Sequence, residues 1–239
     1  MVTAQELGYK AGEMDVREND TYCNLRPQFS SILGPQDILK KQYEELDALP
    51  KNKKWKKKDI GPWNSNYFGT SMGIAGTADK LVLNSNSPAL AAITSETPLL
   101  EHGILLQTVP ENALRFPRSE YGRYANRKLK ESEVPQNKFW LATVRNDSEL
   151  LGRLAELKFK VMRDVYKRNE AMGIYFPKDA RLIERALVLN GTNDWAYADG
   201  NYYLDFNWVR LVGVRANVKD SSLDELLKLG CCRSHPRKK

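Results

Sequence analysis

Apolar positions recur every three or four residues in two stretches of the chain. Pro35 suits a first helical turn, and Ile38, Leu39, Gln42, Tyr43, Leu46 and Leu49 then follow helical spacing until Pro50, so a helix is predicted over 35–48. The second stretch is longer. Asp147 and Ser148 offer caps, Gly173 offers a stop, and Leu150, Leu154, Leu157, Val161 and Val165 share one face between them, widened by Leu151, Met162 and Tyr166. This predicts one long amphipathic helix from Glu149 to about Met172. Arg153, Lys160, Arg163 and Lys167 fall together on its other side, interrupted by Glu156, as a basic ridge.

Strand signals fill the space between and after these helices. Leu81–Leu83, Gly103–Val109 and Lys138–Arg145 read as strands, the last because Phe139-Trp140-Leu141-Ala142-Thr143-Val144 is rich in β-formers and bounded by Pro135 and Asn146-Asp147. Residues 181–190 satisfy both a short helix and a strand. Trp195–Tyr197 and Asn201–Phe206 flank Asp199-Gly200, a two-residue hairpin turn sequence, and Trp208–Val218 alternates as a further strand. Ser222–Glu225 opens a last helix that Gly230 closes. Gly61–Pro88 is dominated by Gly, Ser, Asn and Thr and reads as loop apart from 81–83. The expected fold class is α+β, a mostly antiparallel sheet over 80–218 packed by the long helix. Four regions are expected: an acidic, poorly ordered, extended N-terminal arm at 1–34, the helix and lysine-rich loop at 35–60, one α+β domain at 61–230, and a basic C-terminal tail at 231–239.

Composition narrows the class. The 239 residues are 41% apolar and 28% charged, near the globular average, and enough chain to bury a core without a staple. Cys23 is isolated and Cys231-Cys232 are adjacent, which is no secreted disulfide framework and points to an intracellular location, cytoplasmic or nuclear. No secretory signal or transmembrane stretch is visible.

Charge changes the picture more. Ten of the 37 basic residues lie in Lys51–Lys58 and Arg233–Lys239, leaving 27 against 30 acids elsewhere. Positive charge gathered into two segments of an otherwise slightly acidic chain is an address for polyanions. Lys51, Lys53, Lys54, Lys56, Lys57 and Lys58 are positioned to neutralise phosphates, with Trp55 among them to stack on a base. A solvated loop serving solubility is the plainer reading of the same lysines. Arg115–Lys130 is a second basic and aromatic cluster, in which Tyr121 and Tyr124 would stack while Arg123, Arg127 and Lys128 bind phosphates.

Catalytic and metal patterns are incomplete. Gly69, Gly73 and Gly76 lack the lysine and hydroxyl residue of a phosphate loop. Glu156-Leu157-Lys158, with Asp147 upstream, matches a fragment of metal-dependent nuclease chemistry but lies in a helix. The two histidines, His102 and His235, are far apart, and Cys231, Cys232 and His235 lack zinc spacing. Asp194, Asp199 and Asp205 lie close in sequence, though a turn accounts for Asp199. The aromatic group Trp195, Tyr197, Tyr202, Tyr203, Phe206 and Trp208 fits a β-rich core layer, with only one of Tyr202 and Tyr203 buried. No cofactor, metal or enzyme activity is expected. The function read from the sequence is non-catalytic binding of RNA or single-stranded DNA within a larger nucleoprotein assembly. The alternative is a structural protein of a virion or multi-subunit particle whose charged arms bind neighbouring subunits.

Overall fold

Both amphipathic stretches are helices, and the segments between and around them supply a sheet larger than the strand signals suggest. The computed structural model describes residues 2–10, 13–121, 126–205, 207 and 209–215. Its strands are β1 (Asp15–Asp20), β2 (Phe29–Ile32), β3 (Phe68–Gly76), β4 (Lys80–Asn84), β5 (Ile104–Leu105), β6 (Leu114–Pro117), β7 (Arg127–Leu129), β8 (Ala171–Tyr175), β9 (Ile183–Leu189), β10 (Ala198–Asp199) and β11 (Val209–Arg215). Its helices are α1 (Tyr22–Leu25), α2 (Pro35–Asp47), α3 (Pro62–Ser65), α4 (Pro88–Ala91), α5 (Arg118–Tyr121), α6 (Lys138–Thr143) and α7 (Ser148–Val161), the last running on as a π-helical turn, Met162–Tyr166.

The fold is α+β with a mixed sheet. The strands run β1-β11-β3-β9-β10-β8-β7, with β2 on β11, β5 on β9, and β4 bridging β3 to β6. Among the described strands only β11 with β3 and β10 with β8 pair in parallel. Strand β9 is buried on both faces. Leu187 and Leu189 join the cluster under α2, α6 and α7, whereas Ala186 and Val188 join Tyr22, Leu25 and Leu90 of α1 and α4. The covered half of β9, 186–189, is a continuous apolar run, which is why 181–190 also fits a helix.

Four expectations are corrected here. Residues 139–144 are helical, not a strand, because the Asn137 side chain accepts from Phe139 N at 3.0 Å and Trp140 N at 3.1 Å, capping α6 while Trp140 Nε1 donates to Met172 O. Local β-propensity yields to a cap and to burial. The glycine-rich 68–76 segment is the central strand β3, and its glycines mark close approach. A Cβ at Gly73 would overlap Glu184 Oε1 of β9, and one at Gly76 would overlap Pro177 O. Asp199-Gly200 closes no hairpin. Ala198 and Asp199 are wedged between β9 and β8, and Gly200 N donates to Tyr175 O at 2.9 Å. The 1–34 arm is largely built in: β1 and β2 both pair β11, and Leu7 is buried where its carbonyl accepts from Trp63 Nε1 at 3.0 Å. The last helix expected from Ser222 and the basic tail lie outside the described residues.

Gly73→Ala is therefore expected to destabilise the fold by about 1–3 kcal/mol through overpacking against Glu184. A denaturant titration checks this: the midpoint should fall with the slope unchanged, and an unaltered midpoint would contradict the tight β3–β9 approach.

Candidate functional site

The lysine block is anchored by the residue expected to stack. Trp55 is 1% exposed and packs with Leu46, Ile60, Leu157 and Val161, so its indole is not available to a base. Its Nε1 donates to Pro50 O at 2.8 Å, and its backbone N donates to Asp164 Oδ2 at 3.0 Å. Lys160 sits over the ring at 4.8 Å. A large ring in an otherwise cationic run is the one group able to fix that run to the core.

With Trp55 turned inward, the lysines turn outward and separate. Lys51 pairs with Asp47 at 2.6 Å and Lys53 with Asp59 at 3.9 Å. Lys56, Lys57 and Lys58 are exposed, with no ion-pair partner among the described residues. Lys54 lies against Lys167, and contact with its ammonium is the first cause of the lowered Lys167 pKa, followed by burial. The basic ridge of α7 is largely neutralised. Arg153 pairs with Glu149, Lys160 with Asp164, and Arg163 with Glu131, at 2.5, 2.9 and 2.5 Å.

Lys167 is different because the helix ends there. The π-helical turn closes at Lys167, whose φ of 57° turns the chain out of the helix and leads into Arg168. Arg168 then lies 3.7 Å from the centre of the Trp195 ring, and Lys128 of β7 lies 3.1 Å from the same centre. Trp195 and Ala196 both have positive φ, 59° and 54°, a strained pair that presents the indole at this point. Around the ring is a depression of about 700 Å³, whose rim includes Lys130, Glu131, Lys167, Arg168 and Glu170. Glu131 is taken by Arg163, so among the described lining residues Lys130, Lys167 and Arg168 are accompanied by Glu170 as the one carboxylate without an ion pair.

The second basic cluster thus contributes two residues to this place, and one of them was singled out. Lys128 is on the Trp195 ring. Arg127 instead forks onto Glu133, Nη2 to Oε1 at 2.7 Å and Nη1 to Oε2 at 3.1 Å, an arrangement that holds the Glu133 carboxyl below its ordinary pKa and leaves the guanidinium committed. Arg123, Tyr124 and the Tyr121 side chain lie outside the described residues. Sequence reasoning missed Trp195 and Arg168. Trp195 read as core, and no pattern marks the positive φ that turns it into the depression.

Other candidate chemistry resolves as structure. Lys158 of the nuclease-like triplet is buried, donates to Gln42 Oε1 at 2.7 Å, and is pushed down to about 7 by burial against the opposing pull of Glu45. It faces α2 rather than a cleft. Asp199 is pushed up to about 6 by burial in the β8–β9 wedge. His102 Nδ1 lies 2.8 Å from Asp205 Oδ2 and its ring stacks on Tyr203 at 4.2 Å, but the thiol that feels Asp205, Cys23, is pushed up to about 11 chiefly by burial and so stays protonated. Tyr203 is exposed and Tyr202 half-buried. Phe206 and Trp208 lie outside the described residues, as do Cys231, Cys232 and His235. No helix among the described residues is long and apolar enough to cross a membrane.

No family model matches the chain, and no curated protein matches it. A solved structure described as the accommodation of massive sequence variation in Nanoarchaeota by the C-type lectin fold superposes on it with a TM-score of 0.58 at 13% sequence identity, over 87% of this chain and all of that one. At that identity the likeness is one of fold. The chain resembles the C-type lectin fold in its mixed sheet and its packed helix.

Proposed function

We propose that this chain is a non-catalytic binding protein that holds a nucleic-acid strand by its phosphates, at the cationic rim around Trp195. One observation supports this reading: Lys130, Lys167 and Arg168 line one depression, with Lys128 on the Trp195 ring at its edge and Lys54 beside Lys167, so cations from three separate parts of the sequence meet there. Like charges held together are costly until an anion lies between them, and an extended polyanion meets several at once. The Trp195 ring carries cations rather than an open stacking face, so recognition is of the backbone and indifferent to base sequence. Function here rests on surface residues rather than on the fold itself. The structure with the similar fold is described as accommodating massive sequence variation, so the fold itself fixes no binding chemistry. In the alternative, arm-mediated assembly, the 1–34 arm offers less, since β1 and β2 are committed to β11 of the same chain, while the 231–239 tail lies outside the described residues.

Two variants that remove equal charge test the site. Lys54→Gln/Lys130→Gln/Lys167→Gln alters three exposed rim cations, and Lys56→Gln/Lys57→Gln/Lys58→Gln alters three exposed cations of the loop. In a fluorescence anisotropy titration of a labelled single-stranded RNA, the rim variant should bind roughly 150-fold more weakly, at about 1 kcal/mol per phosphate contact, and the loop variant less than about threefold. Equal losses would move the site off Trp195. Preference for a sulfated polysaccharide over RNA and DNA of equal charge would sink the nucleic-acid reading.

A further inference from the structure

A second cavity, of about 240 Å³, lies between β2, α1, the start of α4 and Ser71 of β3. Its lining includes Arg26, a residue only 8% exposed. Arg26 Nη1 donates to Phe29 O at 2.7 Å, and no carboxylate pairs with Arg26 among the described residues. A guanidinium offers five N–H donors, so most of the donor capacity of Arg26 is open to a ligand entering the cavity. The walls are hydroxyl-rich. Tyr22 and Ser87 are occupied, donating to Thr70 O at 3.1 Å and to Glu184 Oε2 at 2.5 Å. Ser31, Ser71 and Asn86 line the same cavity, and their side chains make no hydrogen bond among the described residues. Behind Ser87, burial raises the Glu184 pKa against the lowering pull of Ser87 and Asn84.

We propose that this cavity binds a small phosphate-bearing molecule, its phosphate oxygens held by Arg26 and by the Ser31, Ser71 and Asn86 side chains. The donors decide the class. A carboxylate has two oxygens to satisfy, whereas a phosphate has three with room for hydroxyl, amide and guanidinium donors together. The volume corresponds to about eight water molecules, below the range of drug-sized pockets, and so admits a phosphate with a small attached group. The site uses none of the residues around Trp195 and stands independently of the strand-binding proposal.

The test is calorimetric titration with inorganic phosphate, run on the Lys54→Gln/Lys130→Gln/Lys167→Gln protein so that the rim does not compete. One saturable site is expected. Ser31→Ala/Ser71→Ala should weaken it about tenfold, at about one hydrogen bond's net strength per serine, while leaving the unfolding midpoint unchanged, and Arg26→Gln should abolish it. If Arg26→Gln does not fold, the serine variant alone decides. Absence of saturable phosphate binding, phosphate binding that the serine variant leaves intact, or acetate binding as tightly as phosphate would each overturn the proposal.

Discussion

Trp55→Ala is expected to destabilise the protein by about 3–5 kcal/mol, the range for truncating a buried indole. The ring is 1% exposed and fills the space between Leu46 of α2 and Leu157 and Val161 of α7. Its loss also leaves Pro50 O without the Nε1 donor at 2.8 Å and removes the surface that Lys160 covers. The residue therefore ties the lysine loop to both helices, and cutting that tie frees a segment with six lysines. Urea unfolding followed by circular dichroism measures the effect. A loss below about 1 kcal/mol would mean the indole is not part of the core. Trp55→Phe, which keeps most of the apolar surface, should leave RNA affinity within about twofold, and a large drop there would restore the stacking role that burial denies it.

Glu45→Ala should cost as much, about 3–5 kcal/mol, because it leaves three part-buried donors without their acceptor. Glu45 accepts from Trp63 N at 2.9 Å, Asn64 N at 3.1 Å and Asn64 Nδ2 at 2.9 Å, fixing α3 onto α2. Lys158 of α7 reaches the same place through Gln42. Burial pushes both groups toward their neutral forms, Glu45 up and Lys158 down to about 7. With its folded pKa depressed below the ordinary 10.5, Lys158 binds fewer protons folded than unfolded between those values. Its contribution to stability is full above 10.5 and is lost as the pH falls through 7. Lys158→Met should flatten that part of the stability profile and recover part of the Glu45→Ala loss in the double variant. Strictly additive losses would show that the two side chains do not interact.

How much of this the sequence carried depends on how local the determining contacts are. The α2 helix, with proline at its first turn and apolar residues at helical spacing, is Pro35–Asp47 as its pattern indicates, and α7 with its π-helical turn covers most of the second stripe. Strand β4 is likewise set by a short run of β-formers. The misread segments depend on partners distant in sequence. Strand β3 reads as loop because its glycines answer to Glu184 and Pro177, more than 100 residues on. The Asp199-Gly200 pair reads as a turn because nothing nearby signals the slot between β8 and β9. The basic address was legible as charge, but not as geometry. Lys54 and Lys128 were in view, while the π-helical turn that delivers Lys167 and Arg168, and the positive φ of Trp195, left no pattern to find. Arg26, in the lining of the second cavity, looked like an ordinary residue of a polar arm.

The most direct measurement is the salt dependence of RNA binding by the unaltered protein beside the Lys54→Gln/Lys130→Gln/Lys167→Gln variant. Five cations meeting a single strand give a log–log slope of about −3.5, and removing three should leave about −1.4, at about 0.7 per contact. A slope that stays the same in the rim variant, or one that collapses only when Lys56, Lys57 and Lys58 are neutralised, would contradict a binding site built around Trp195.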